Sequence, residues 1–322
     1  MKITQFCNHV LPVQYYGGIE RVTVWLIQGL KELGHDVSLI APKGSALPGI
    51  KTFYIEKPYN IPEEYPDIKN LIPKDSEVLH YQNGYSPINY GIPTLHTIHG
   101  QEFKGFPLDK TYNFASDYHR RSFNLPSNPF IYHGLNLKEF TFRENKSDYL
   151  LYLNQLDRRG KVNALKKAIE LAKRTKTRLI IAGTVNDMSF IYGKNIFDRG
   201  LSQHFGEYCT YIGPVGGKLK VDILANAKAL LNPLSSEDAF GLINIEAMAC
   251  GTPVIGSNFA AIPEIVEDGK TGFICNNDDE FISAIKNCGG IKPSDCRKRV
   301  EEKFNHIKMA EGYVKLYKEL LS

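Results

Sequence analysis

The sequence has no apolar run near the ~20 residues that a membrane-crossing helix needs, and it opens directly into an apolar Ile3 to Phe6 without a signal-peptide pattern. Cysteine is sparse and unpatterned. Cys7, Cys209, Cys250, Cys275, Cys288 and Cys296 show no C-x-x-C spacing. Several sit in apolar runs, as small buried hydrophobes do. This excludes a disulfide framework and a zinc site built on cysteine pairs, and predicts a reduced, cytoplasmic chain. Excess charge is also lacking: 39 Lys and Arg against 35 Asp and Glu leave +4. That is too little to argue for a nucleic-acid partner, although a local basic face would be enough for peripheral contact with an anionic membrane. No internal repeat and no low-complexity tract occurs, and nothing speaks to oligomeric state.

What is present describes an ordinary globular chain, 43% hydrophobic and 23% charged over 322 residues, longer than one core usually serves. Strand-like and helix-like segments alternate. Lys2 to Phe6 reads as a strand. Ile19, Val22, Leu26, Leu30 and Leu33 recur at helical spacing, with Gly34 placed to end that helix. Further strands are expected at Val37 to Ile40, near Phe53, at Glu77 to Tyr81, Thr94 to Ile98, Phe130 to Tyr132, Leu150 to Leu153 and Arg178 to Ala182. Helices are expected at about Val162 to Lys173, Lys218 to Asn226 and His306 to Leu321. Such alternation implies an α/β protein with parallel, doubly wound sheets. The polar patch Arg143 to Asp148 marks a hinge candidate, giving domains 1–145 and 146–305.

The most informative stretch runs from Asp238 to Gly251. An apolar strand, Ala229 to Leu231, leads into a loop with Asp238, Phe240, Gly241 and Leu242, then a helix carrying Glu246. The free N–H groups of a first helical turn and the helix dipole both favour an anion. Asp238 can accept hydrogen bonds from hydroxyls, and Glu246, about two turns into the helix, can reach a second polyol. Anion flanked by hydroxyls on both sides describes a nucleoside diphosphate sugar. Gly17 and Gly18 follow the first strand and let backbone approach a phosphate or sugar closely, or they form a plain tight turn. Gly183 ends the strand Arg178 to Ala182 and either faces a nucleotide or makes a strand-end turn.

These residues resemble the family-four retaining glycosyltransferases of the GT-B fold (glycosyl transferases group 1). The resemblance rests on Asp238 to Glu246 with its continuation Gly251, Thr252, Pro253, Val254, on Ile262 to Val266 and Asp268 to Phe273, and near the start on Gly17, Gly18 and Gly34 to Val37. It implies two Rossmann-like domains facing a central cleft, with the final helix, 306–322, packing back onto the first. It implies a metal-independent, retaining transfer of a sugar from a nucleoside diphosphate donor to a glycan, lipid-linked or small-molecule acceptor, with no cofactor. Asp238 would hold the sugar, Glu246 the ribose, and the amides of Phe240 to Leu242 the sugar or phosphate. Gly17 and Gly18 would lie against the diphosphate. The family pattern puts a histidine near the reacting sugar, which falls on His99; His96 and His133 read as structural. No Asp-x-Asp pair of the metal-dependent transferases is present.

Two departures matter. Gln155 stands where the family has arginine, so Arg158, Arg159 or Lys161 would supply the diphosphate's cation, unless that loop is simply solvated. Asp238 stands where the family has glutamate, and Glu237 beside it fits a shifted register. These leave two other readings open: a non-catalytic nucleotide-sugar-binding subunit, or a sugar-nucleotide epimerase of similar architecture.

Overall fold

A computed structural model describes residues 1–13, 17–58, 66–82, 88–100, 109–156, 161–184 and 207–322. The chain divides into two compact units. The first is Met1–Asn136 with Lys303–Ser322; the second is Leu137–Glu302.

The first unit is built on β1 (Lys2–Phe6), α1 (Gly18–Glu32), β2 (Asp36–Pro42), β3 (Lys51–Ile55), β4 (Val78–Tyr81), β5 (Thr94–Ile98), β6 (Tyr112–Phe114) and α2 (Asp117–Ser122). Its six strands are all parallel in the order β3-β2-β1-β4-β5-β6. The second contains β7 (Leu150–Leu153), α3 (Lys161–Thr175), β8 (Leu179–Ala182), β9 (Cys209–Tyr211), α4 (Gly217–Asn226), β10 (Ala229–Asn232), α5 (Leu242–Ala249), β11 (Val254–Ser257), α6 (Ile262–Ile265), β12 (Gly272–Cys275), α7 (Asp278–Asn287) and most of α8 (Pro293–Lys303). Its order is β12-β11-β10-β7-β8-β9, again all parallel. Read from either edge, both sheets have the order of a doubly wound fold. Such a sheet reverses direction between two strands, and ligands gather beyond the carboxyl ends there. The reversals fall between β1 and β4 in the first unit and between β7 and β10 in the second.

Burial follows from this arrangement. Strands covered on both faces become continuous apolar runs, and β4, β6 and β10 are buried along their whole lengths. In the second unit Leu150, Tyr152, Leu165, Ile169, Leu231 and Phe281 share one core. The last helix, α9 (His306–Leu321), packs on α1 within the first unit and buries Met309, Tyr313 and Tyr317.

Where the sequence suggested a hinge at Arg143 to Asp148, the division falls at Asn136 and Leu137. The polar patch is fastened inside the second unit. Lys146 Nζ donates to the carbonyls of Ala225 and Cys250 at 2.9 Å each, and to Thr252 Oγ1 at 3.0 Å. Those carbonyls end α4 and α5, where the helix dipole favours a cation. Burial pulls the Lys146 ammonium down to about 8. The strand expected at Phe130 to Tyr132 is reduced to a single bridge, Phe114 to Phe130. All six cysteines are buried and none is in a disulfide, and burial pushes the thiols of Cys7, Cys250, Cys275 and Cys296 up to about 12. Among the described residues no helix is long and apolar enough to cross a membrane.

Candidate functional site

In the second unit the site residues cluster beyond β10. The chain leaves Asn232, runs through Pro233 to Phe240 and enters α5 through Gly241, which lies in the left-handed region (φ 85°, ψ 62°). No side chain of Gly241 can cap the helix, so the amides of the first turn at Leu242 and Ile243 are left without a capping side chain from that position. Asp238 is half-buried, and its Oδ1 accepts from the Phe240 amide at 3.3 Å. Glu237, the alternative partner, is exposed. The Phe240 ring itself is buried.

Glu246 is fully buried in the second turn of α5. Its Oε2 lies 2.5 Å from Lys220 Nζ on α4, an ion pair with side chains 1% and 13% exposed. Sequence reasoning missed Lys220. The signal for it was a lysine in a short helix packed on the Glu246 helix. Sequence reasoning also missed Asn232 and Asn244, whose side chains meet in a buried bond of 3.0 Å that ties the end of β10 to α5.

Thr184 Oγ1, Ser236 Oγ and Asn244 Nδ2 are among the buried polar atoms that have no hydrogen-bond partner among the described residues. They follow β8, follow β10 and begin α5, all at carboxyl ends of the sheet. Unmet buried polar groups are costly unless something else satisfies them. Gly183 follows β8. A Cβ there would run into the Asn154 carbonyl oxygen, so glycine is needed for close approach of two chain segments. Gln155 is half-buried, its amide held by Asn154 Oδ1 at 2.9 Å. Arg158 and Arg159 lie outside the described residues, as does the side chain of Lys161, which begins α3.

In the first unit Gly17 caps α1, with Gly18 as the first helical residue. The Glu20 carboxylate covers this glycine; a Cβ on Gly17 would meet Glu20 Oε2 at 2.5 Å. His9 Nδ1 pairs with the other oxygen at 3.4 Å. An acid in the first turn suits the dipole of α1.

His99 follows β5. Its Nε2 lies 3.2 Å from Gln82 Oε1 and its Nδ1 3.4 Å from His133 Nε2, with the two rings stacked at 5.1 Å. Burial first, then the neighbouring histidines, hold His99 well below the usual histidine value; burial does the same to His80. Folded values below the unfolded one mean that the unfolded chain takes up protons the folded chain refuses. Stability is therefore fully present above about pH 6.5 and falls as pH drops from there toward the folded values. The urea midpoint is expected to fall between pH 7 and pH 5, and His80→Gln to flatten that slope. An unchanged slope in His80→Gln would mean the ring is not held neutral.

Two all-parallel doubly wound units, each with candidate residues beyond its strand-order reversal, define the architecture of the GT-B glycosyltransferases. Residues 136–288 match the family model described as glycosyl transferases group 1, and residues 16–129 match glycosyltransferase family 4. The chain belongs to the group 1 glycosyltransferases. It is 29% identical over 176 residues to an uncharacterized 41.2 kDa protein in the cps region of Klebsiella pneumoniae, covering 52% of this chain and 46% of that one. It is 33% identical over 96 residues to N-acetyl-alpha-D-glucosaminyl L-malate synthase of Bacillus anthracis, covering 27% and 25%. These matches span less than half the length of either relative. Among solved structures, AviGT4, a glycosyltransferase involved in avilamycin A biosynthesis, superposes with a TM-score of 0.79 at 23% identity over 99% of this chain and 98% of that one, a likeness of fold.

Proposed function

We propose that the protein transfers a sugar from a nucleoside diphosphate sugar to a hydroxyl of a glycan, lipid-linked or small-molecule acceptor, with retention and without a metal. The observation that carries this reading is the left-handed entry of α5 at Gly241, with Asp238 before it and buried Glu246 behind it, beyond the strand-order reversal of the second unit. The reaction builds positive charge at the anomeric carbon and negative charge on the departing diphosphate. A diphosphate is already a good leaving group, so the protein's main task is to stabilise its anion. The first-turn amides and dipole of α5 are suited to that task, with a cation from Arg158, Arg159 or Lys161. Asp238 would hold the sugar and Glu246, paired with Lys220, the ribose. Thr184 and Ser236, each with an unmet buried hydroxyl, are further donor contacts in this reading. Six buried thiols outside any disulfide fit a reducing compartment, and we assign the protein to the cytoplasm, with peripheral membrane contact where the acceptor is lipid-linked.

The test is a melting-temperature screen against UDP-, GDP-, ADP- and dTDP-sugars, since a ligand that binds only the folded state raises that temperature. With the best donor, Glu246→Ala is expected to weaken binding by on the order of 100-fold, the scale of losing hydrogen bonds to a charged group. Unchanged affinity by calorimetry removes Glu246 from its assigned role. Gln155 in place of arginine favours a second reading, a binding subunit. Tight donor binding with neither transfer nor slow donor hydrolysis would support that reading instead.

A further inference from the structure

A buried polar chain in the first unit runs from α9 to His99. The Tyr317 hydroxyl lies 2.7 Å from His80 Nδ1 and 3.1 Å from Gln5 Nε2. Gln82 Nε2 donates to Gln5 Oε1 at 2.7 Å and meets His80 Nδ1 at 3.0 Å. Gln82 Oε1 then faces His99 Nε2 at 3.2 Å. The directions interlock. Gln5 turns its amide N–H to the tyrosine and its oxygen to Gln82. That oxygen requires the NH2 of Gln82, which leaves the Gln82 carbonyl for His99. A carbonyl only accepts, so His99 Nε2 carries the hydrogen and Nδ1 the lone pair. His80 anchors the far side, with Nε2 2.8 Å from Thr97 Oγ1, which lies 3.1 Å from the Tyr313 hydroxyl. Gln5, His80, Gln82, Thr97 and Tyr317 are all 0% exposed, so bulk water does not replace a missing member.

We propose that Gln82 is a positioning residue for His99, fixing it as the Nε2–H tautomer so that Nδ1 accepts a hydrogen bond from a sugar hydroxyl beyond β5. The sugar rests on the transferase reading; the tautomer does not. Among the described residues Nδ1 meets His133 Nε2 at a long 3.4 Å, an approach a hydroxyl can displace. The lowered proton affinity of His99 keeps the ring neutral, so this tautomer is the species present near neutral pH.

The test is a long-range proton–nitrogen correlation spectrum of the full chain with labelled histidine at pH 7.5, His99 being assigned by the signal lost in His99→Gln. Wild type is expected to show the Nε2–H pattern. Gln82→Met is expected to give a mixture of tautomers, and Gln82→Glu, which restores an acceptor oxygen, to return the Nε2–H pattern. An Nδ1–H pattern in wild type, or an unmixed Nε2–H pattern in a folded Gln82→Met, overturns the proposal. If Gln82→Met does not fold, the wild-type and Gln82→Glu spectra decide it. The donor chosen by the melting screen supplies a second readout. Its hydrolysis or transfer should fall about 10-fold in kcat in Gln82→Met, with donor KM within about twofold and recovery in Gln82→Glu, a readout on the scale of one lost hydrogen bond. The correct tautomer in a protein that transfers no sugar would sink the transferase reading and leave the relay standing.

Discussion

Lys220→Met is expected to cost the folded second unit about 3–5 kcal/mol, because it withdraws the ammonium from beside a carboxylate that remains buried. The pair meets the conditions for that scale: 2.5 Å apart, with Glu246 1% and Lys220 13% exposed. Glu246→Gln alone should cost less, since the amide keeps the shape and an acceptor oxygen. The double variant Lys220→Met with Glu246→Gln should recover most of the loss, because replacing both members of a buried pair is often near neutral. Urea unfolding of the four proteins measures this as a double-mutant cycle. A single-variant cost below about 1 kcal/mol, the scale of an exposed pair, would contradict the burial described. The double variant has a further use. Folded but unable to bind donor, it would separate the contribution of Glu246 to binding from its contribution to packing.

Gly183→Ala should prevent stable folding of the second unit, an effect above about 3 kcal/mol. The residue has φ +145°, which a side chain rarely adopts, and its Cβ would run into the Asn154 carbonyl oxygen with Leu156 Cγ at 3.3 Å behind. Neighbouring bonds leave little room to relax: the Gly183 amide donates to Gly213 O at 3.0 Å, and the Tyr211 hydroxyl donates to the Gly183 carbonyl at 3.0 Å. Gly241→Ala is the informative contrast. It is also left-handed, but its Cβ would meet only the end of a side chain, Asn244 Nδ2 at 2.7 Å, so the cost should stay near the roughly 1–2 kcal/mol of the backbone conformation itself. Loss of helical circular dichroism and of soluble yield reads both variants. Equal losses would mean that backbone strain, not the carbonyl overlap, sets the cost at Gly183.

The regular elements were legible because their apolar spacing is unambiguous. Ile19 to Leu33 repeats at the helical period and forms α1; Thr94 to Ile98 and Leu150 to Leu153 are short apolar runs that form β5 and β7 as expected. What escaped depends on partners distant in the chain. Tyr112 to Phe114 is too short to stand out and becomes a strand only beside β5. The polar patch at Lys146 reads as a hinge until α4 and α5 present their terminal carbonyls to it. Tyr313 and Tyr317 read as part of an apolar helical stripe, and their rings do pack. Their hydroxyls, however, complete a polar chain whose other members come from β1, β4 and β5, which no local pattern discloses. At the candidate site the loop and helix entry were readable from glycine and carboxylate spacing. Lys220 and Glu20 were not, because each matters through a neighbour: one by pairing with Glu246 across two helices, the other by folding back over its own helix start.

The return of α9 to the first unit also bears on the order of assembly. On the ribosome, residues 137–302 emerge as one uninterrupted segment and can finish a domain while the earlier sheet still awaits Tyr313 and Tyr317. Nascent chains usually complete their leading domain first; here Gln5, His80 and Thr97 of the leading unit lack their tyrosine partners until the final turns of helix arrive.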